Sequence, residues 1–96
     1  MPIKFTWSST KRASNLAKHG LDFELAERVF AGLTYTFEDE RFAYPEVRFV
    51  TVGLLHGAPA TIIHTETADE IRIISFRRAT GSEAALYYRC AGFDQG

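Results

Sequence analysis

The chain has a single cysteine, Cys90, among 96 residues. No internal disulfide can form, so a disulfide-stapled scaffold is excluded. One cysteine with three well-separated histidines, His19, His56 and His64, gives no ligand pair at the short spacing of a structural zinc site. No apolar run nears the roughly 20 residues of a membrane-spanning helix. The N-terminus reaches the Ser/Thr/Lys/Arg cluster at 8–12 before any signal-like apolar stretch develops. Linkers rich in Pro, Gly or Ser are missing, as are repeats and low-complexity tracts. The expectation is one domain over residues 1–96, in a reducing cytoplasm, with no membrane contact, metal or cofactor. Charge of one sign is lacking too: 11 Lys and Arg stand against 12 Asp and Glu, a net −1. A nucleic-acid-binding domain is ordinarily basic, so the total gives that function no support.

What is present is a globular composition, 46% hydrophobic with eight Phe, four Tyr and one Trp. A chain this short buries roughly 60–65% of its unfolded surface, enough for one core. The charge is unevenly placed. Residues 1–20 carry Lys4, Lys11, Arg12 and Lys18 and no acid, a local +4. Residues 21–46 sum to −5 and residues 47–96 to zero. A neutral total can therefore hold a basic face and an acidic face.

The patterning predicts the order β-α-α-β-β-β-β-α. Residues 3–7 alternate as a short strand. Ser8, Ser9 and Thr10 offer N-caps for a helix over 10–19 with Ala13, Leu16 and Ala17 as its apolar stripe. Gly20 suits the left-handed residue that ends it. Asp22 caps a second helix carrying Phe23, Ala26, Val29 and Phe30, closed by Gly32. Strands follow at 33–38, 47–55, 60–66 and 70–77. The turn His56-Gly57-Ala58-Pro59 makes a hairpin of the middle pair. A last helix runs from Thr80 or Ser82 to about residue 90. The fold class is α+β: a compact antiparallel sheet with the two early helices on one face and a C-terminal helix.

Strict alternation along 70–77 places Arg72 on the face of Ile74 and Phe76, opposite Ile71 and Ile73. His64, Arg72 and Arg48 then have the means to cluster on one face, a matter of register. Such a cluster suits attack on a phosphodiester. Arginine matches phosphate oxygens in two-point contacts, and histidine exchanges protons near neutral pH. In RNA the 2′-hydroxyl attacks the neighbouring phosphorus with no metal, given a base, a cation and an acid. Each residue also has a structural reading. His64 fits a hydrogen-bonded core histidine, and Arg72 fits a partner of Glu70 or Glu66. Arg77 and Arg78 fit the start of the last helix, and Lys18-His19-Gly20 fits helix termination. Tyr87, Tyr88 and Trp7 fit packing, and Cys90 a buried free thiol.

Phe5-Thr6-Trp7, Lys11, Asn15, Lys18-His19-Gly20, Phe23, Ala26 and Val29-Phe30 lead into 46–53, His64-Thr65, the run 71–79, Glu83 and Tyr87-Tyr88. In that order and spacing the chain resembles the BrnT family of ribonuclease toxins from bacterial type II toxin–antitoxin systems. The resemblance implies a RelE-like toxin that cuts RNA without a metal. The implied partner is a BrnA-like antitoxin with a ribbon-helix-helix region, through which alone the pair meets operator DNA. The roles it implies are proton exchange by His64, charge stabilisation by Arg72 and Arg77, and binding of a flanking phosphate by Arg48. Lys18, His19 and Tyr88 are second-rank substrate contacts or the alternative acid, and Glu83 orients an arginine. Three features depart from the family pattern: Ser8 stands where an acid is common, Phe76 where the residue is often small, and the acidic residues around the loop before Arg48 are differently arranged. The alternative reading is a non-catalytic binding module that serves the antitoxin in operon repression.

Overall fold

A computed structural model describes residues 3–41, 43 and 45–92. Its frame is a four-strand meander of β2 (Thr34–Glu38), β3 (Phe49–Leu55), β4 (Ala58–Glu66) and β5 (Glu70–Arg78). The β3–β4 turn is tight because His56 and Gly57 both take positive φ, 51° and 82°, the geometry that matches strand twist. The β4–β5 turn closes with the Thr67 amide donating to the Glu70 carbonyl at 2.8 Å. All three pairings in the meander are antiparallel. The first strand, β1 (Lys4–Thr6), adds beside β5 in parallel, Lys4 opposite Glu70 and Thr6 opposite Arg72. The sheet is thus mixed, in the order β1-β5-β4-β3-β2.

The helices sort to both sides of it. Helix α1 (Ser9–His19) is capped by the Ser8 hydroxyl, which accepts from the Lys11 amide at 3.3 Å. Gly20, at φ 73°, ends it in the left-handed region. Asp22 caps a 3-10 turn (Phe23–Leu25) that runs into α2 (Ala26–Ala31). Phe23, Val29, Ile62, Ile73 and Phe76 form the core on this side. Helix α3 (Gly81–Cys90), opened by a Thr80–Glu83 capping box, covers the other side with Tyr87 over Val50, Val52 and Ile63. Cys90 is exposed, against the expected buried thiol.

Two local features depart from the expected pattern. The first is the orientation of α1. Ala13, Leu16 and Ala17 all face solvent, Leu16 at 45% exposure, while Asn15 is buried at 7%. The cause is the shortness of β1. Past Arg72 the edge of β5 has no strand beside it, and α1 fills the gap. A strand edge must be met by polar groups. Asn15 supplies them: its Nδ2 donates to the Phe76 carbonyl at 2.8 Å and to the Leu21 carbonyl at 3.0 Å. Its Oδ1 accepts from the Phe76 amide at 3.1 Å.

The second is a bulge in β5. Ile63 faces Ser75, but His64 faces Ile73, which leaves Ile74 as an extra residue. Side-chain parity flips across it. Ile71, Ile73 and Phe76 all enter the core beneath α2. Ile74 joins the cluster on the opposite side.

Candidate functional site

The bulge, the edge-filling helix and the start of β3 together build a groove. One depression of about 300 Å³ is lined by Lys11, Glu46, Arg48, Thr65, Arg72 and Ile74. A second, of about 200 Å³, is lined by Lys11, Ser14, Asn15, Lys18, His19, Ile74 and Ser75. Lys11 and Ile74 belong to both, so the two adjoin. The floor is the bulged stretch of β5 and one wall is α1. Lys11 and Lys18 lie two helical turns apart on that wall, on one face by the helical repeat. Arg48 hydrogen-bonds Glu46 through its Nε at 3.2 Å. Lys11, Lys18 and Arg72 are exposed. Four permanent cations and one histidine thus border a trough that an anionic chain can follow.

A larger hollow of about 320 Å³ lies on the other side of Arg48, lined by Glu38, Asp39, Glu40 and Glu46 among others. Its carboxylates repel a polyanion. Asp39 is buried and takes Arg41 in a two-point contact at 2.9 and 3.0 Å. Its amide donates to the Arg48 carbonyl at 2.7 Å, which fixes the chain just before β3.

The expected cluster of His64 with Arg72 and Arg48 does not form. In an unbroken β4–β5 ladder His64 would face Ile74 and share a side with Arg72. The bulge shifts the ladder by one residue, and a one-residue shift exchanges faces. Arg72 therefore turns to the other face, while His64 keeps the face of Ile62 and points under α2, fully buried. Its ring lies edge-on to Phe30 at 5.2 Å and stacks on Phe49 at 5.9 Å. Its Nε2 is 2.7 Å from the Thr51 hydroxyl, which meets the Thr36 hydroxyl at 2.7 Å. Burial pushes the His64 pKa down to about 4, and a nearby Thr65 backbone group offsets only part of this. The ring is neutral near pH 7.

Arg77 also lies outside the groove. It grips Glu83 at two points, 2.8 and 2.9 Å. Glu83 accepts in addition from the Thr61 hydroxyl and the Thr80 amide. The Arg77 contacts foremost hold its carboxyl down to about 2. This set ties α3 to β4 and β5. Tyr88 packs against Tyr87, ring centres 5.4 Å apart, in the cluster beneath α3.

The structure thus gathers Arg48, Arg72, Lys18 and His19, and separates His64, Arg77, Glu83 and Tyr88 from them. The sequence reading gave no site role to Lys11, Thr65, Ser75 or Asn15. The last had a visible signal: an amide among small residues at the centre of a short helix. Among the described residues no three or more His, Cys, Asp or Glu side chains converge as a metal site. Nor is any described helix long and apolar enough to cross a membrane.

Comparison with known proteins bears on this geometry. No curated protein matches the sequence. The crystal structure of the Brucella abortus ribonuclease toxin BrnT is similar, with a TM-score of 0.65 at 28% identity, covering 81% of this chain and 97% of that one. The family model for the ribonuclease toxin BrnT of type II toxin–antitoxin systems matches residues 7–83, from Trp7 beside α1 to Glu83 in the cap of α3. With most of its length matched and its groove within that span, the chain belongs to the BrnT family of type II toxin–antitoxin ribonuclease toxins.

Proposed function

We propose that this toxin is a metal-independent endoribonuclease that cuts RNA in the α1–β5 groove by attack of a 2′-hydroxyl on the adjacent phosphorus. The observation that carries the reading is the convergence of Lys11, Lys18, Arg48 and Arg72 from three separate parts of the chain. Arg72 lines the larger depression, two residues before the bulged Ile74, and stabilises the charge that grows on the phosphoryl oxygens. One well-placed donor of this kind contributes about 10²–10³-fold. Arg48 holds a flanking phosphate, which must compete with Glu46. His19, at the far end of the groove, exchanges the proton in the place first expected of His64. Lys11 and Lys18 guide the backbone. Internal attack leaves a 2′,3′-cyclic phosphate and a free 5′-hydroxyl, with no water consumed in the cut.

The family resemblance supplies the partner: a BrnA-like ribbon-helix-helix antitoxin that neutralises the toxin and carries the pair to operator DNA. Neither Ser8 nor Phe76 favours a degenerate module. Ser8 caps α1, a task that serine and aspartate do about equally well. Phe76 is fully buried, so its size is a packing matter.

Purified chain incubated with single-stranded RNA in EDTA tests the reading. The expected result is cleavage to cyclic-phosphate ends, reduced at least about 100-fold in Arg72→Ala. His19→Ala should lose about 10²–10⁴-fold. Both variants should keep wild-type melting curves. Absence of cleavage by well-folded wild type in EDTA, restored by added divalent metal, would overturn the metal-independent mechanism.

A further inference from the structure

We infer that Ile74 is the platform for one nucleobase of the bound RNA, a single-base subsite set between two groups of phosphate-binding cations. The inference rests on the reading that the groove takes RNA. Ile74 is the residue that the bulge adds to β5, between the Ser75–Ile63 and Ile73–His64 pairings. Bulges re-aim side chains beside functional sites, and this one moves two of them. In an unbroken ladder both Ile74 and Arg72 would lie on the side of His64. With the extra residue in place, Arg72 pairs with Thr65 and Ile74 joins the cluster beneath α3. A cation and an apolar side chain thus reach the same face of the sheet through one inserted residue.

The surroundings of Ile74 name the ligand. Its side chain is only half-buried, and it lines both depressions of the groove. Every other described residue lining either one is polar or charged. Arg48 and Arg72 share one depression with it, and Lys18 and His19 the other. A small anion would satisfy these cations with no use for an apolar floor. A nucleic-acid strand has the matching order: phosphate, then a base whose apolar face loses water against hydrocarbon, then phosphate. Among the described residues no Phe, Tyr or Trp lines either depression, so no such ring clamps the other face of the base. Contact of this kind scales with area, and a purine covers more of Ile74 than a pyrimidine. The hydroxyls of Thr65 and Ser75 line the depressions on either side, and a hydroxyl can donate to or accept from any base edge. The subsite therefore requires a base and favours a purine only mildly.

The test uses the full chain and short 2′-O-methyl RNA of about four nucleotides, which the proposed attack cannot cut. Each nucleotide in turn is made abasic, and fluorescence anisotropy reads the affinity. For wild type the missing base should cost about fivefold or more at one position and less than about twofold at the others. At that position adenine should bind about two- to threefold better than uracil. Ile74→Ala should weaken the intact oligonucleotide and abolish the abasic penalty, the signature of direct contact in a double-mutant cycle. Its slope of log affinity against log salt should match wild type, since no cation is lost. Arg72→Ala should instead weaken intact and abasic oligonucleotides alike. Ile74→Thr keeps the branched shape and should also lower the penalty, so a folded variant is at hand if Ile74→Ala melts. Circular dichroism reports folding of each. An abasic penalty undiminished in a folded Ile74 variant overturns the inference. So does a wild type with no penalty at any position, which needs no variant to read. If Arg72→Ala still weakens binding in either case, the groove reading stands and the base subsite alone fails. If Arg72→Ala leaves affinity unchanged, both fail together.

Discussion

His64 is held neutral by its surroundings, and this gives a pH dependence with a definite sign. Its folded pKa is about 4 against an ordinary 6.5. Above about 6.5 the ring is neutral in both states and contributes nothing to the dependence. Between 6.5 and 4 the unfolded chain takes up a proton that the folded chain refuses, so stability falls with pH. The full loss by pH 4 is of order 3 kcal/mol. Thermal melts across this window should show a declining midpoint, and His64→Gln should flatten that decline whatever its starting stability. A slope identical in the variant would mean that His64 is not the group responsible. Asn15 acts through hydrogen bonding alone. Asn15→Ala removes three contacts to backbone and strands the Phe76 amide, so a loss of about 2–3 kcal/mol is expected from denaturant titration. Asn15→Asp keeps the acceptor for that amide but sets a carboxylate against the Leu21 and Phe76 carbonyls. It should be at least as harmful at neutral pH and should recover on acidification.

At the level of elements, α2 fits closely on β3 at Gly53. A Cβ on Gly53 would lie 2.7 Å from Val29 Cγ1 and 3.0 Å from Thr34 Cγ2. Gly53→Ala should therefore destabilise by about 1–3 kcal/mol through overpacking. Pairing it with Val29→Ala should return part of the loss, measured as a double-mutant cycle. The elements themselves were legible where their signals are local. Gly20, Asp22, Gly57 and Thr80 act on their immediate neighbours, and each stands at the end or turn it predicts. The faces of β4 were legible too, since Ile62 and Ile63 do go to opposite cores. The bulge at Ile74 was not, because an extra residue appears only against a partner strand. That one residue undid the expected His64–Arg72 pairing. The outward turn of α1 was hidden for a similar reason. The stripe of Ala13, Leu16 and Ala17 obeys the usual rule, but the demand that overrides it comes from the unpaired edge of β5.

For the whole molecule the useful quantity is where charge lies, since a net −1 would by itself oppose RNA. Glu46 and Arg48 line both hollows, and the remaining charges divide on either side of that pair. Glu38, Asp39, Glu40 and Glu46 line one hollow, while Lys11, Lys18 and Arg72 join Arg48 around the groove. On the proposed reading, a chain of net −1 gains little from long-range attraction to RNA, and its affinity is expected to come from short-range contacts that displace counterions. On single strands each neutralised phosphate contributes about −0.7 to the slope of log affinity against log salt. Four groove cations thus predict a slope of about −3, in a protein whose total charge predicts no attraction. Arg72→Ala and Lys18→Ala should each bring the slope about 0.7 closer to zero. Arg28→Ala should leave it unchanged, because Arg28 sits by His56 at 3.1 Å, away from the groove. Glu46→Gln separates the two hollows' influence: it takes the Glu46 carboxylate off the Arg48 Nε contact without adding a cation. Affinity should rise a few-fold at every salt concentration while the slope stays near −3. A slope that steepened in Glu46→Gln would instead place Arg48 outside the wild-type contact set, and the groove would then bind RNA through its α1 wall and Arg72 alone.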